Sequence, residues 1–142
     1  MRAEAHPPRD GSKPAHTTMT ICHWRYGLNR ISRIRNSRIR QQSGNCYYCC
    51  QPIWHCELSD FSSRHGITRK KATLLKATAE HLVPRSEGGL DAFHNIVAAC
   101  WFCNVSRHRA KQPLSPDAYG KKVRARLAKG RWHGFVARNE PG

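Results

Sequence analysis

Four of the seven cysteines in this 142-residue chain fall into two pairs of identical spacing, Cys46-x2-Cys49 and Cys100-x2-Cys103, with 50 residues between the pairs. Two residues between cysteines let both thiolates reach one ion while backbone amides turn toward the sulfurs. Two such pairs complete a tetrahedral, all-thiolate zinc site with no open position. Such a site does not catalyse; it ties distant segments together and adds its binding free energy to folding. The plainer alternative is four small buried hydrophobes, since free cysteine is often buried. Seven is an odd number, and the first twenty residues hold Pro, His and charge but no apolar run. An exported disulfide framework is therefore not expected, and metal binding is the better reading. Cys50 replaces Cys49 only at the cost of an x3 spacing, and Cys22 and Cys56 receive no role.

Between the knuckles runs Ala79-Glu80-His81-Leu82-Val83-Pro84-Arg85-Ser86-Glu87-Gly88-Gly89, then His94-Asn95-Ile96-Val97-Ala98-Ala99-Cys100-Trp101-Phe102-Cys103-Asn104. Taken singly, His81 reads as a partly buried histidine, Glu80 as a solvated carboxylate, Asn95 as a turn residue and Asn104 as a helix cap. Taken together, with 13 residues from His81 to Asn95 and 8 from Asn95 to Asn104, they resemble the HNH endonuclease family in its zinc-stapled branch. In that family an acidic residue and a histidine on one strand precede a proline, a Gly-Gly loop, an asparagine opening a second strand, and a His or Asn starting a helix. The resemblance covers residues 43–110. It implies an α+β fold, a ββα-metal core with a four-cysteine structural zinc. It also implies that Glu80 and Asn104 hold a catalytic divalent cation and that Asn95 holds the loop carrying His81. Glu80 stands where Asp is more usual and is one methylene longer; Asn104 stands where His is commoner.

The chemistry of the residues agrees with that implication. Hydrolysing a phosphodiester needs a base to activate water and a cation to stabilise the phosphorane and the departing 3′ oxygen. A neutral imidazole takes a proton near neutral pH, which makes His81 the candidate base. The Glu80 carboxylate and Asn104 amide are hard oxygen donors suited to Mg²⁺ or Mn²⁺, and Arg85 is placed to hold a phosphate. Neighbours on a regular strand face opposite ways, so Glu80 and His81 share a site only where the strand ends or distorts, which the nearby Pro84 allows. His108, four residues after Asn104, lies on the same helical face and is a further candidate ligand or phosphate contact.

The elements that must position these groups follow from periodicity and punctuation. Leu28, Ile31 and Ile34 recur at helical spacing among arginines, which predicts a basic helix over 26–42 after a disordered basic leader at 1–25. Residues 58–77 read as two helical pieces broken at Gly66, the second capped by Thr68. Strands are expected at about 79–83 and 95–99, a helix after Cys100, and a last basic helix from Ser115-Pro116 to about residue 129, within a C-terminal region at 111–142.

The 25 Lys and Arg against 9 Asp and Glu leave a net charge of +16. The excess is concentrated in the arms: residues 1–45 carry +7, residues 46–110 carry +3 and residues 111–142 carry +6. A less charged centre between two basic arms points to a polyanion, and DNA is the expected partner. Arg30 and Arg33 on one arm and Lys121 and Arg124 on the other are the expected phosphate contacts. The tryptophans Trp24 and Trp132 are expected to pack rather than stack on bases. No apolar run approaches the roughly 18 residues of a membrane span, so a cytoplasmic DNA endonuclease is expected. The alternatives are a zinc-stabilised nucleic-acid-binding protein without catalytic activity, or a small zinc protein that binds RNA or protein. Cutting both strands from one small site requires a homodimer or two encounters, and the sequence leaves these open.

Overall fold

The computed structural model describes residues 29–137; the expected leader and the first residues of the expected basic helix lie outside them. In chain order the elements are α1 (Arg30–Gln41), α2 (Leu58–Arg64), α3 (Arg69–Leu74), β1 (Ala77–His81), β2 (Ile96–Cys100), α4 (Trp101–His108) and α5 (Pro116–Ala128). The fold is α+β, and its centre is a β-hairpin followed directly by a helix.

β1 and β2 pair antiparallel, with Ala77 opposite Cys100, Glu80 opposite Val97 and His81 opposite Ile96. β2 is buried along its whole length, as expected of a strand covered on both faces. Its outer edge is not left open. The Gln42 side chain accepts from Ala98 N at 2.9 Å and donates to Ala98 O at 2.8 Å, while Tyr47 N donates to the same carbonyl at 3.0 Å. Arg38 donates to Ile96 O at 2.9 Å and to Phe93 O, so α1 grips the start of β2. One arginine of the basic helix therefore serves the fold, whereas Arg30 and Arg33 remain exposed.

The helical punctuation follows the sequence closely. Thr68 caps α3 by accepting from Lys71 N, Ser115 caps α5 by accepting from Ala118 N, and Gly66 ends the α2 turn at φ +61. The strands differ from expectation: β1 begins and ends two residues early, and β2 begins one residue late. At the hairpin end, where β1 stops and β2 starts, the reason is Asn95. Its Oδ1 accepts from Val83 N at 2.9 Å and its Nδ2 donates to Val83 O and Leu90 O, each at 3.0 Å. The side chain thus occupies the Val83 backbone groups that a longer ladder would have used. Asn95 itself closes a 3-10 turn, Phe93–Asn95, before β2 starts.

That arrangement needs a glycine at position 89. A Cβ there would stand 1.8 Å from Val83 O and 2.9 Å from Asn95 Nδ2, closer than real atoms approach. Gly89→Ala is expected to force the loop off Asn95 at a cost of about 1–3 kcal/mol. Urea unfolding reads the loss, and amide exchange at Val83 should accelerate. A variant as stable as wild type, with Val83 still protected, contradicts this account.

Candidate metal centre and active site

Cys46, Cys49, Cys100 and Cys103 are all buried, and their four sulfurs lie within 4.8 Å of one another. Zinc–sulfur bonds of about 2.3 Å give a tetrahedron with edges of about 3.8 Å, and the Cys49 and Cys100 sulfurs are 3.9 Å apart. N–H groups already point at the sulfurs: Cys100 N at Cys46 Sγ (3.2 Å), Cys103 N at Cys100 Sγ (3.4 Å) and Trp132 Nε1 at Cys103 Sγ (3.2 Å). Hydrogen bonds from Cys100, Cys103 and Cys46 draw the Cys49 thiol far down, while the same crowding holds Cys100 far up. Four thiols this close cannot all ionise without a cation among them, so the donor set fits zinc. Cys50 is exposed beside it, and the x2 spacing prevails.

Cys100 is three things at once: the last residue of β2, the N-cap of α4 and one of the four sulfurs. The helix that follows is therefore launched from the cluster. It lies on the face of the hairpin bearing Thr78 and Glu80, where Asn104 Nδ2 donates to Thr78 Oγ1 at 2.9 Å and to Ala79 O at 3.4 Å. One turn on, His108 Nε2 donates to Glu80 Oε2 at 2.9 Å. Arg107, itself buried, donates to Glu80 Oε1, to His81 O and Leu82 O at 3.2 Å, and to Leu114 O at 3.3 Å. Tyr48 completes the ring by donating to Glu80 Oε1 at 2.9 Å; burial and then the Glu80 charge push its phenol far up, so it stays a donor.

Glu80 is thus no solvated carboxylate: it is 1% exposed and held by three side chains. Its Oε2 and His108 Nε2 are spaced as adjacent ligands of an octahedral ion would be, about 3.0 Å apart for bonds of about 2.1 Å. Asn104 Oδ1 makes no hydrogen bond among the described residues. Glu80, His108 and Asn104 carry oxygen and nitrogen donors of the kinds a divalent cation takes, while the Arg107 guanidinium already opposes the charge of the carboxylate on its other oxygen.

His81 leaves the strand on the opposite side from Glu80, as the pleat requires, and the two rings of contacts do not share a hydrogen bond. The His81 imidazole is 16% exposed. Its Nε2 donates to Asp91 Oδ1 at 2.8 Å, and Arg85 grips the same carboxylate with Nε on Oδ1 (2.9 Å) and Nη2 on Oδ2 (2.8 Å). The hydrogen bond from His81, reinforced by Arg85, holds the Asp91 carboxyl below its usual value. The structure places Arg85 on Asp91, with its Nη1 making no hydrogen bond among the described residues. Lys121 and Arg124 are exposed on α5, and Arg124 Nη1 reaches Tyr48 O at 3.4 Å. Trp132 packs against Phe102 and Tyr119, as a core tryptophan should.

Sequence reasoning did not single out Asp91, Arg107 or Tyr48. Arg107 and Tyr48 had no spacing signal, because their partner Glu80 is distant in sequence. Asp91 had one weak signal, its place directly after the Gly88-Gly89-Leu90 loop. The Glu80–Arg107 pair makes a testable demand, because removing one partner strands a buried charge. Arg107→Met is expected to lower the unfolding free energy by about 3–5 kcal/mol, read by urea titration. Glu80→Gln in the same background should recover part of that loss. A single variant within about 0.5 kcal/mol of wild type contradicts the pairing.

Among the described residues no helix is long and apolar enough to cross a membrane. No curated protein and no solved structure matches the chain. Residues 63–110 match the model of the family described as HNH endonuclease, and that span holds Glu80, His81, Asn95 and Asn104 together with the second cysteine knuckle. With the matched segment folded as a hairpin and helix, and its knuckle joined to a second one upstream, the chain carries an HNH endonuclease domain.

Proposed function

We propose that the protein is a metal-dependent DNA endonuclease with a structural zinc at its four cysteines. The observation that carries this reading is the state of His81: it stands at the end of β1 with Nε2 on a carboxylate, and its Nδ1 makes no hydrogen bond among the described residues. A neutral imidazole held in that way presents a bare nitrogen, the form a general base needs.

In the proposed reaction His81 Nδ1 takes a proton from water as the water oxygen bonds to phosphorus. The bond from phosphorus to the 3′ oxygen breaks, the leaving oxygen is protonated from solvent, and the ends are a 5′ phosphate and a 3′ hydroxyl. Asn95 keeps the loop after β1 in register, so that His81 does not drift from the scissile group. Glu80, Asn104 and His108 would hold a divalent cation, which when bound supplies charge stabilisation for the phosphorane and the departing oxygen. A nitrogen donor in the set favours Mn²⁺ over Mg²⁺ relative to two oxygen donors alone. Exposed Arg30, Arg33, Lys121 and Arg124 add non-specific phosphate attraction that weakens with salt. Double-strand cutting would take two copies of the chain or two encounters.

A second reading has its own support. Both oxygens of Glu80 are already engaged by Arg107, Tyr48 and His108, which suits a structural carboxylate in a zinc-stabilised nucleic-acid-binding protein without activity. Supercoiled plasmid incubated with the full chain and Mn²⁺ or Mg²⁺ separates the two. The nuclease reading expects relaxed or linear DNA, with His81→Ala slower by roughly 10²-fold or more. Equal survival of supercoiled DNA with wild type and variant, across metals, rejects it while leaving DNA binding to be read by gel shift.

A further inference from the structure

Resting on the nuclease reading, we propose that Asp91, clamped by Arg85, is the positioning residue for His81. It fixes the imidazole as the Nε2–H tautomer and aims the bare Nδ1 at the attacking water. A neutral imidazole carries one N–H, and the nitrogen that donates it is set by the acceptor on offer. The Asp91 carboxylate offers that acceptor at 2.8 Å from Nε2, so the lone pair is left at Nδ1.

The carboxylate is itself held from several sides. Arg85 binds both of its oxygens in fork geometry at 2.9 and 2.8 Å, the arrangement that fixes direction as well as distance. Arg85 opens a short 3-10 turn, Arg85–Glu87, that is closed by Gly88 at φ +85. The residue before Asp91 is tied down by Asn95, whose Nδ2 donates to Leu90 O at 3.0 Å. Asn95 therefore acts on His81 twice: through Val83 on the strand side and through Leu90 and Asp91 on the loop side. In this arrangement Arg85 serves the loop, and its guanidinium is committed before a phosphate arrives.

Asp91 touches neither the cation-binding side chains nor, on this view, the substrate. Its removal should act on the base through the ring's lost acceptor and the released Arg85 fork. Asp91→Asn offers the imidazole either an amide N–H or an amide oxygen and no longer fixes the tautomer. Long-range ¹H–¹⁵N spectra of the zinc-loaded full chain, recorded where His81 is neutral, should show Nε2–H alone in wild type and a mixture in Asp91→Asn. In single-turnover cleavage of plasmid with Mn²⁺ the rate should fall roughly 10–100-fold, with half-saturating DNA concentration unchanged. Asp91→Glu should recover part of that loss. In a His81→Ala background the same substitution should cost nothing further, because there is no ring left to orient.

An unchanged tautomer in Asp91→Asn overturns the proposal, as does an equal fractional loss with and without the His81 ring. If the wild type cuts no DNA yet its tautomer still depends on Asp91, the nuclease reading fails and the positioning of His81 by Asp91 stands.

Discussion

Four sulfurs must come to one point, and most of the molecule is arranged so that they can. Cys46 and Cys49 sit on a turn after α1; Cys100 and Cys103 sit where β2 becomes α4. Bringing them together decides where α4 begins and in which direction it leaves the hairpin. The rest of α4 then has little freedom: Asn104 lands on Thr78, and Arg107 and His108 land on Glu80. The C-terminal segment closes the same point from above, with Trp132 on Cys103 Sγ and the Tyr119 hydroxyl on Cys103 O at 2.7 Å. A domain with only a two-stranded sheet needs such a staple, since two strands are marginal by themselves.

The pleat of β1 then separates two kinds of work. Glu80 turns inward to α4, where it meets the buried Arg107 guanidinium, a full positive charge, and the more exposed His108. His81 turns outward to a loop whose shape is dictated by Asn95, Gly89 and Asp91. Adjacent residues on one short strand thus serve different neighbourhoods, and they meet only at the strand end, where Arg107 bonds both the Glu80 side chain and the His81 carbonyl.

Much of this was legible in the residues. Paired cysteine spacing identified the metal cluster because the geometry of a tetrahedral thiolate site is carried by two-residue gaps within each knuckle. Helix boundaries at Thr68 and Ser115 were legible because capping is local chemistry. The end of β1 and the start of β2 were misplaced by one or two residues because they are decided by a side chain, Asn95, competing with the ladder for the Val83 backbone. The roles of Arg38 and Gln42 were not legible either. On a helix they look like solvated polar residues, and only the tertiary packing shows them satisfying the edge of β2 that β1 does not pair. Taken singly, Glu80 read as a solvated carboxylate because its partners lie 27, 28 and 32 positions away, and no local pattern reports on distant partners.

Because the sulfur cluster places everything else, its chemistry is the point on which the account is most exposed. X-ray absorption at the zinc edge of the purified full-length protein tests it directly. The account predicts one zinc per chain with four sulfur neighbours at about 2.3 Å and no nitrogen or oxygen in the shell. A mixed shell, or a folded chain that holds no zinc, would contradict it.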